Sequence, residues 1–333
     1  MPESNRQIRL ARRPRGEVQP EDWEHVSEDA RAPGEGEFAA RTLTISLDPA
    51  MRGWLDDRPS YLPPVELGAV MRANSVVEVT ESKHPDYAPG DHAVGAFGVQ
   101  THVVSDGRGA RKVDLGKAPA ATYLGALGMT GLTAYFGLFE VGALRDGETV
   151  VVSGAAGAVG SVAGQIAKIK GCRVVGIAGG PEKCAMVVEE LGFDAAVDYR
   201  AEDVATALRR HAPDGIDVYF DNVGGEILDA ALANLAMHAR VVICGAISQY
   251  NSAPRGPRNY MMLLVRRARM QGFLVFDYPG KNAQALTELA GWVADGSLKV
   301  KEHVVRGTVD DFPDTLQMLF RGENVGKLVL ELT

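Results

Sequence analysis

Apolar and polar positions change their rhythm along the chain near residue 118. Before it, short alternating stretches such as "TLTISLDP" and "ANSVVEVTES" predict half-buried strands, and the Pro-Gly-Asp turn in "YAPGDHAVGAFG" predicts a loop between two of them. "RPSYLPP" (Arg58 to Pro64) fits no period and predicts an irregular segment. From Ala118 on, "APAATYLGALGMTGLTAYFGLFEVGAL" is rich in small residues and reads as one long helix-compatible stretch. Strand and helix units then alternate: "ETVVVSG", "GSVAGQIAKIKG", "CRVVGIAG", "PEKCAMVVEELG", "AAVDYR", "EDVATALRRHAP", "IDVYFDNVG", "EILDAALANLA" and "ARVVICGA". Near-continuous apolar strands between helices predict a parallel sheet covered on both faces. "RMQGFLVFDY" predicts one more strand and "NAQALTELAGWVADGSL" one more helix. The tail from Lys299 returns to strand-like alternation in "KVKEHVVRG" and "KLVLELT". The expectation is an α/β chain with a β-rich domain over 1–120, a doubly wound domain over 121–296, and a return to the first domain over 297–333.

Composition narrows the class. A chain of 333 residues with 46% hydrophobic and 23% charged residues suits two globular domains. A formal net charge of -8 argues against nucleic acid as a partner, because phosphate backbones are held by basic faces. Arg9, Arg12, Arg13 and Arg15 form a local exception that a solvated edge strand explains equally well. No apolar run is long enough to span a membrane, and "MPESNRQIRLARRPRG" has no secretory apolar core, so the expected location is the cytoplasm. Cys172, Cys184 and Cys244 are too few for a disulfide framework or a four-cysteine zinc site and read as small buried hydrophobes.

Candidate chemistry begins at "VVSGAAGAVG". An apolar strand runs into glycines at every third position, Gly154, Gly157 and Gly160, and a helix starts near Val159. A helix N-terminus with close backbone approach suits a pyrophosphate, and the strand–loop–helix–strand context points to a dinucleotide. The second strand ends in Gly179 and Gly180 where an NAD enzyme places a carboxylate on the ribose hydroxyls. Lys183 follows, and Tyr199 and Arg200 close the next strand, so the cofactor expected is NADP(H).

Several motifs together carry a family resemblance: the glycine-loop stretch, "YFDNVGG", "VVICGAISQYN", "LGALGMTGLTAYFGL", "NVGKLVLEL", "SLDPAMRG" and "YLPPVELGAVM". They span nearly the whole chain, which resembles the zinc-independent medium-chain dehydrogenases/reductases. Within these it is similar to the prostaglandin reductase, alkenal double-bond reductase and bacterial curcumin reductase group. The resemblance implies a GroES-like domain, a Rossmann domain, and NADPH-dependent reduction of the double bond of α,β-unsaturated ketones or aldehydes. It implies cofactor contacts from Ala156, Gly157, Ala158 and Val159 at the pyrophosphate and from Gly180, Lys183 and Tyr199 at the 2′-phosphate. Thr130, Asn222, Cys244, Ile247, Ser248, Phe273, Val275 and Asn324 complete the implied cofactor site. A homodimer is implied as well.

Enone reduction needs hydride delivery to the β-carbon and stabilisation of the enolate oxygen, and no metal. The first half contains no cysteine, so His92 and His102 read as structural. Tyr250 is the candidate catalytic phenol, with Arg52 and Tyr61 as candidate substrate neighbours; a structural salt bridge is the other reading of Arg52, and packing is the simpler reading of Tyr61 and Tyr260. Two departures from the family pattern, Ala50 in "LDPAMRG" and "FGVQTHVV" with Val99 and His102, are expected to reshape the substrate pocket. Two other readings stay open: quinone reduction, and a nucleotide-binding protein without turnover.

Overall fold

In the computed structural model, which describes residues 4–253 and 255–333, the alternating stretches of the first half form seven strands. These are β1 (Ser4–Leu10), β2 (Trp23–Asp29), β3 (Phe38–Ser46), β4 (Ser75–Ser82), β5 (His92–Gly95), β6 (His102–Ser105) and β7 (Arg111–Val113). The stretch after Ala118 breaks into α1 (Ala120–Leu124) and α2 (Met129–Phe136), with a wider turn over Gly137–Val141. Gly125 and Gly128 cause the break, since glycine has little to gain from helical backbone.

Strand and helix then alternate through β8 (Thr149–Ser153), α3 (Ala158–Ile169), β9 (Arg173–Ala178), α4 (Pro181–Glu189), β10 (Ala195–Asp198), α5 (Val204–His211), β11 (Ile216–Asp221), α6 (Gly225–Leu232) and β12 (Leu235–Ile243). α7 (Met261–Arg266), β13 (Arg269–Gly272) and α8 (Asn282–Ala294) follow. The strand expected over "RMQGFLVFDY" stops at Gly272, and Val275–Asp277 is a 3-10 turn capped by Asp277, whose carboxylate accepts the Leu274 N–H at 2.9 Å. The tail holds β14 (Glu302–Gly307), α9 (Phe312–Arg321) and β15 (Lys327–Leu332). The sequence reading placed no helix there, yet Phe312, Leu316 and Leu319 recur at helical spacing, and all three are buried behind Pro313 in the first turn.

The chain divides into two compact units, one of Met1–Leu124, Glu302–Asn324 and Leu328–Thr333, the other of Gly125–Lys301 and Val325–Lys327. The first holds an antiparallel β1–β2 pair and a seven-stranded sheet ordered β14-β15-β3-β4-β5-β7, with β6 also pairing β3. Ile8, Leu10, Ile45, Met51, Phe312 and Leu330 centre one of its cores, and Phe38, Val77, Val79 and Phe97 a second. Arg9 lies on β1 and pairs with Glu28, while Arg12 pairs with the buried Asp22.

The second unit is a six-stranded sheet ordered β10-β9-β8-β11-β12-β13, parallel throughout. This is the doubly wound order in which the strand sequence reverses beside the first strand, here between β8 and β11. Val150, Val151 and Val152 of β8 are completely buried, as a central strand covered on both faces requires. No helix among the described residues is long and apolar enough to cross a membrane.

α3 lies close to its neighbours because glycine stands at 164: a Cβ there would come within 1.8 Å of the Phe193 ring. Gly164→Ala is therefore expected to destabilise the second unit by about 2 kcal/mol through overpacking, despite alanine's better helix propensity. A thermal unfolding midpoint equal to or above that of the wild type would contradict this packing.

Candidate active site and family

β8 ends at the completely buried Ser153, and the chain turns at Gly154, whose φ of +61° is open to glycine. Ala155 and Ala156 are buried, and Gly157 caps α3 in extended conformation. The first turn of α3, Ala158, Val159 and Gly160, presents amides without intrahelical acceptors, and it contains no acidic side chain. Gly160 lets the turn fold back on the helix, since a Cβ there would lie 2.3 Å from the Gly154 carbonyl oxygen.

Beside this loop β9 ends in Ala178, and the Tyr199 ring lies over Gly179, where a Cβ would stand 2.8 Å from the phenol oxygen. Above Gly180 the space is open. Lys183 sits half-buried in the first turn of α4, and its ammonium is pushed below the ordinary lysine value by burial and then by the positive charge of Arg200. The Arg200 guanidinium carbon lies 5.8 Å from the Tyr199 ring centroid. The neighbouring carboxylate, Asp198, accepts the backbone N–H groups of Gly180 (2.9 Å) and Arg200 (3.0 Å), which hold it below the usual carboxylate range.

A hydrogen-bond network ties together the ends of β8, β11 and β12. Asp221 Oδ1 accepts the Ser153 hydroxyl at 2.9 Å, the Tyr219 phenol at 3.0 Å, and the N–H groups of Val223 and Gly224 at 3.1 and 2.9 Å. Burial raises this carboxyl against the pull of those donors. Ser153 Oγ accepts the Asn222 N–H at 2.9 Å, and the Asn222 side-chain amide donates to the Ser153 carbonyl at 2.7 Å. Cys244 and Gly245 donate their N–H groups to the Asp221 carbonyl, and burial followed by the Asp221 charge pushes the Cys244 thiol up to about 12. Ile247 and Ser248 continue the loop by donating their N–H groups to the carbonyls of Asn222 and Val223. Tyr250 curls back, its phenol oxygen accepting the Ala246 N–H at 3.2 Å beside Gly245. Sequence reasoning singled out Asn222 and Tyr250 but missed Ser153 and Asp221; the available signal was a polar residue closing each of two apolar strands.

Elsewhere in this unit Thr130 on α2 has a buried hydroxyl with no hydrogen-bond partner. Phe273 packs near Gly137, and the half-buried Val275 lines the same core. Helix-terminal amides, two cations beside an open glycine, and a buried hydroxyl in need of a partner are a donor set that fits a phosphorylated dinucleotide.

The remaining candidates belong to the first unit. Arg52 is 4% exposed; its Nε and Nη2 donate to the Gly16 carbonyl at 3.1 and 3.0 Å, and Nη1 pairs with Asp56 at 2.7 Å. Those bonds build the guanidinium into its own unit as a structural brace. Ala50 lies on the same 3-10 turn, Pro49–Leu55. Tyr61 is exposed and accepts the Trp54 indole N–H at 3.2 Å. Val99 is completely buried in the core, so its effect on any pocket is indirect. Asn324 is half-buried at the end of the tail segment of this unit. Tyr260, in the second unit, is exposed. His92 and His102 open β5 and β6, and no group of three His, Cys, Asp or Glu residues suited to a metal ion occurs among the described residues.

Residues 6–113 match the family model described as the N-terminal domain of oxidoreductase, and residues 158–291 match the one described as zinc-binding dehydrogenase. The chain is 42% identical to the NADPH-dependent curcumin reductase of Escherichia coli over 98% of its length and 97% of the relative's. It is 38% identical to the 2-alkenal reductase (NADP(+)-dependent) of Nicotiana tabacum, again over 98% and 97% of the two chains. The crystal structure of CurA from Vibrio vulnificus in complex with NADPH superimposes with a TM-score of 0.93 at 41% identity, covering 98% of this chain and 99% of that one. The chain belongs to the zinc-independent medium-chain dehydrogenases/reductases, within the group that contains the curcumin and alkenal reductases.

Proposed function

We propose that the protein is an NADPH-dependent reductase of the carbon–carbon double bond of α,β-unsaturated ketones and aldehydes. One observation carries the cofactor half of this reading: the half-buried Lys183, its ammonium pushed below the ordinary lysine value by burial and then by the charge of Arg200, stands in the first turn of α4 next to the open backbone of Gly180, with the adjacent Asp198 carboxylate turned onto amides. A cationic neighbourhood in this place suits an anion, and a 2′-phosphate is such an anion. The reaction half rests on relatives named as curcumin and 2-alkenal reductases over nearly the full chain, and on the phenol of Tyr250 at the carboxyl edge of the parallel sheet.

In this reading the amides of Ala158, Val159 and Gly160 face the pyrophosphate next to Ala156 and Gly157, while Lys183, Arg200 and Tyr199 hold the 2′-phosphate. Thr130 Oγ1 gains its missing partner from the carboxamide end. Asn222, Cys244, Ile247, Ser248, Phe273 and Val275 line the rest of the dinucleotide. The bound, reduced nicotinamide supplies the hydride for the β-carbon. Tyr250 donates a hydrogen bond to the carbonyl oxygen on which negative charge develops; accepting the Ala246 N–H makes its phenol a stronger donor. In the first unit Tyr61 is exposed on an irregular loop, and Arg52 holds the base of that loop through Asp56.

Assembly and location extend the proposal. β13 is an outer strand of the sheet with all four residues exposed, and Tyr260, Met261, Leu264 and Val265 beside it are more than half exposed. An outer edge flanked by apolar side chains is a pairing surface, so a homodimer is proposed through it. The cytoplasm suits three cysteines that are all free.

A panel of enones, enals and quinones, followed by NADPH oxidation, is expected to show enone and enal turnover; quinone turnover alone would move the protein to quinone reduction. Tyr250→Phe is expected to lower kcat/KM about 10²-fold while leaving the NADPH Kd within about threefold. Lys183→Ala is expected to weaken NADPH about tenfold to hundredfold and NADH hardly at all. Because the Lys183 ammonium is depressed and only its protonated form attracts phosphate, NADPH affinity falls as pH rises through a value below the ordinary lysine range, with no matching loss for NADH. Light scattering is expected to give twice the chain mass, and Leu264→Glu half of that; an unchanged mass would remove the edge from the interface.

A further inference from the structure

The last strand of the chain begins at a point where two backbones leave no room for a side chain. The Gly326 N–H donates to the Ala156 carbonyl at 2.7 Å, and Gly326 forms an isolated parallel bridge with Gly157. The next amide, Lys327 N–H, donates to the Lys301 carbonyl at 2.8 Å. Gly326 has φ +65°, and a Cβ there would lie 2.0 Å from the Lys301 oxygen and 2.4 Å from its carbonyl carbon.

Residues 299–301 are in turn fixed to α3. The Gln165 side chain accepts the Lys299 N–H at 2.8 Å and donates to the Lys299 carbonyl at 3.0 Å, with Gln165 itself 3% exposed. The result is a closed circuit from α3 through 299–301 and Gly326 back to the loop that precedes α3. The Ala156 carbonyl and the Gly157 N–H share one rigid peptide plane. Its oxygen is held by Gly326 and its N–H by the Gly154 carbonyl at 2.9 Å. A plane anchored at both ends sets the direction in which the amides of Ala158, Val159 and Gly160 point.

We propose that Gly326 is a positioning residue for the dinucleotide: its backbone N–H fixes the Ala156–Gly157 peptide, and so the amide cradle at the head of α3, before any ligand arrives. The role is purely main-chain and specific for glycine, because any side chain displaces the strand from Lys301. This inference rests on the NADPH reading above.

The test uses the full chain. Gly326→Ala forces the strand away from Lys301, and Gly326→glycolate, introduced by ligating a synthetic C-terminal peptide, replaces only the N–H by an ester oxygen. Gly296→Ala, at φ +79° with open space around it, is the control for backbone strain alone. NADPH titration by fluorescence is expected to show Kd raised about threefold to tenfold by Gly326→glycolate, the effect of one lost hydrogen bond, and more by Gly326→Ala. Gly296→Ala stays at the wild-type value. Amide exchange over 154–160 in the free protein accelerates in both Gly326 variants, and kcat at saturating NADPH stays near wild type while KM for NADPH rises. Should Gly326→Ala fail to fold, the ester variant decides. An ester variant with wild-type Kd and wild-type exchange over 154–160 overturns this inference and leaves the proposed function intact; a wild-type chain that binds no NADPH overturns both.

Discussion

The carboxyl of Asp221 is the point on which the ligand edge of the parallel sheet depends. A buried carboxyl without donors is costly, and here one oxygen gathers donors from Ser153 at the end of β8, from Tyr219 within β11, and from the amides of the turn that opens α6. The main-chain carbonyl of the same residue collects the amides that follow β12. The ends of β8, β11 and β12 thus meet at the two acceptors of one residue, its carboxyl and its carbonyl, and the loops that follow these strands are tied to it. The loop carrying Tyr250 is shaped by this constraint even though Tyr250 makes no bond to Asp221 among those described.

Arginine plays the comparable part in the first unit. Arg52, buried in a 3-10 turn, grips the carbonyl of Gly16 and the carboxylate of Asp56, and Arg13 donates to the Leu55 carbonyl at 3.0 Å. Segments without regular structure are stabilised there by guanidinium bonds to main-chain oxygens, since irregular backbone cannot satisfy its own carbonyls. The arginine-rich start of the chain therefore belongs partly to the interior economy of hydrogen bonds and partly to solvated pairs such as Arg9–Glu28.

Much of this architecture was legible from periodicity alone, because the doubly wound sheet needs continuous apolar strands and alternating helices, and both appear in the letters. The boundaries that failed did so for identifiable reasons. Gly125 and Gly128 split an apparently continuous helix, and α9 was hidden between two alternating segments although Phe312, Leu316 and Leu319 mark its face. At the candidate site, the glycine loop and the missing acid after β9 could be read from sequence because they are local. Ser153 and Asp221 show there only as polar residues that close apolar strands, because their importance arises from a hydrogen bond between residues 68 apart. For Arg52 the sequence offered both a substrate neighbour and a salt-bridge partner, and the structure supplies the pair with Asp56.

The bond from Gly326 to Ala156 has a consequence for where the order of the α3 loop comes from. All six strands of the parallel sheet lie between Thr149 and Gly272, while the amide that holds the Ala156 carbonyl stands far downstream of them in sequence. A segment spanning 125–301 would therefore carry every strand of that sheet and still lack one of the two bonds that fix the peptide ahead of α3.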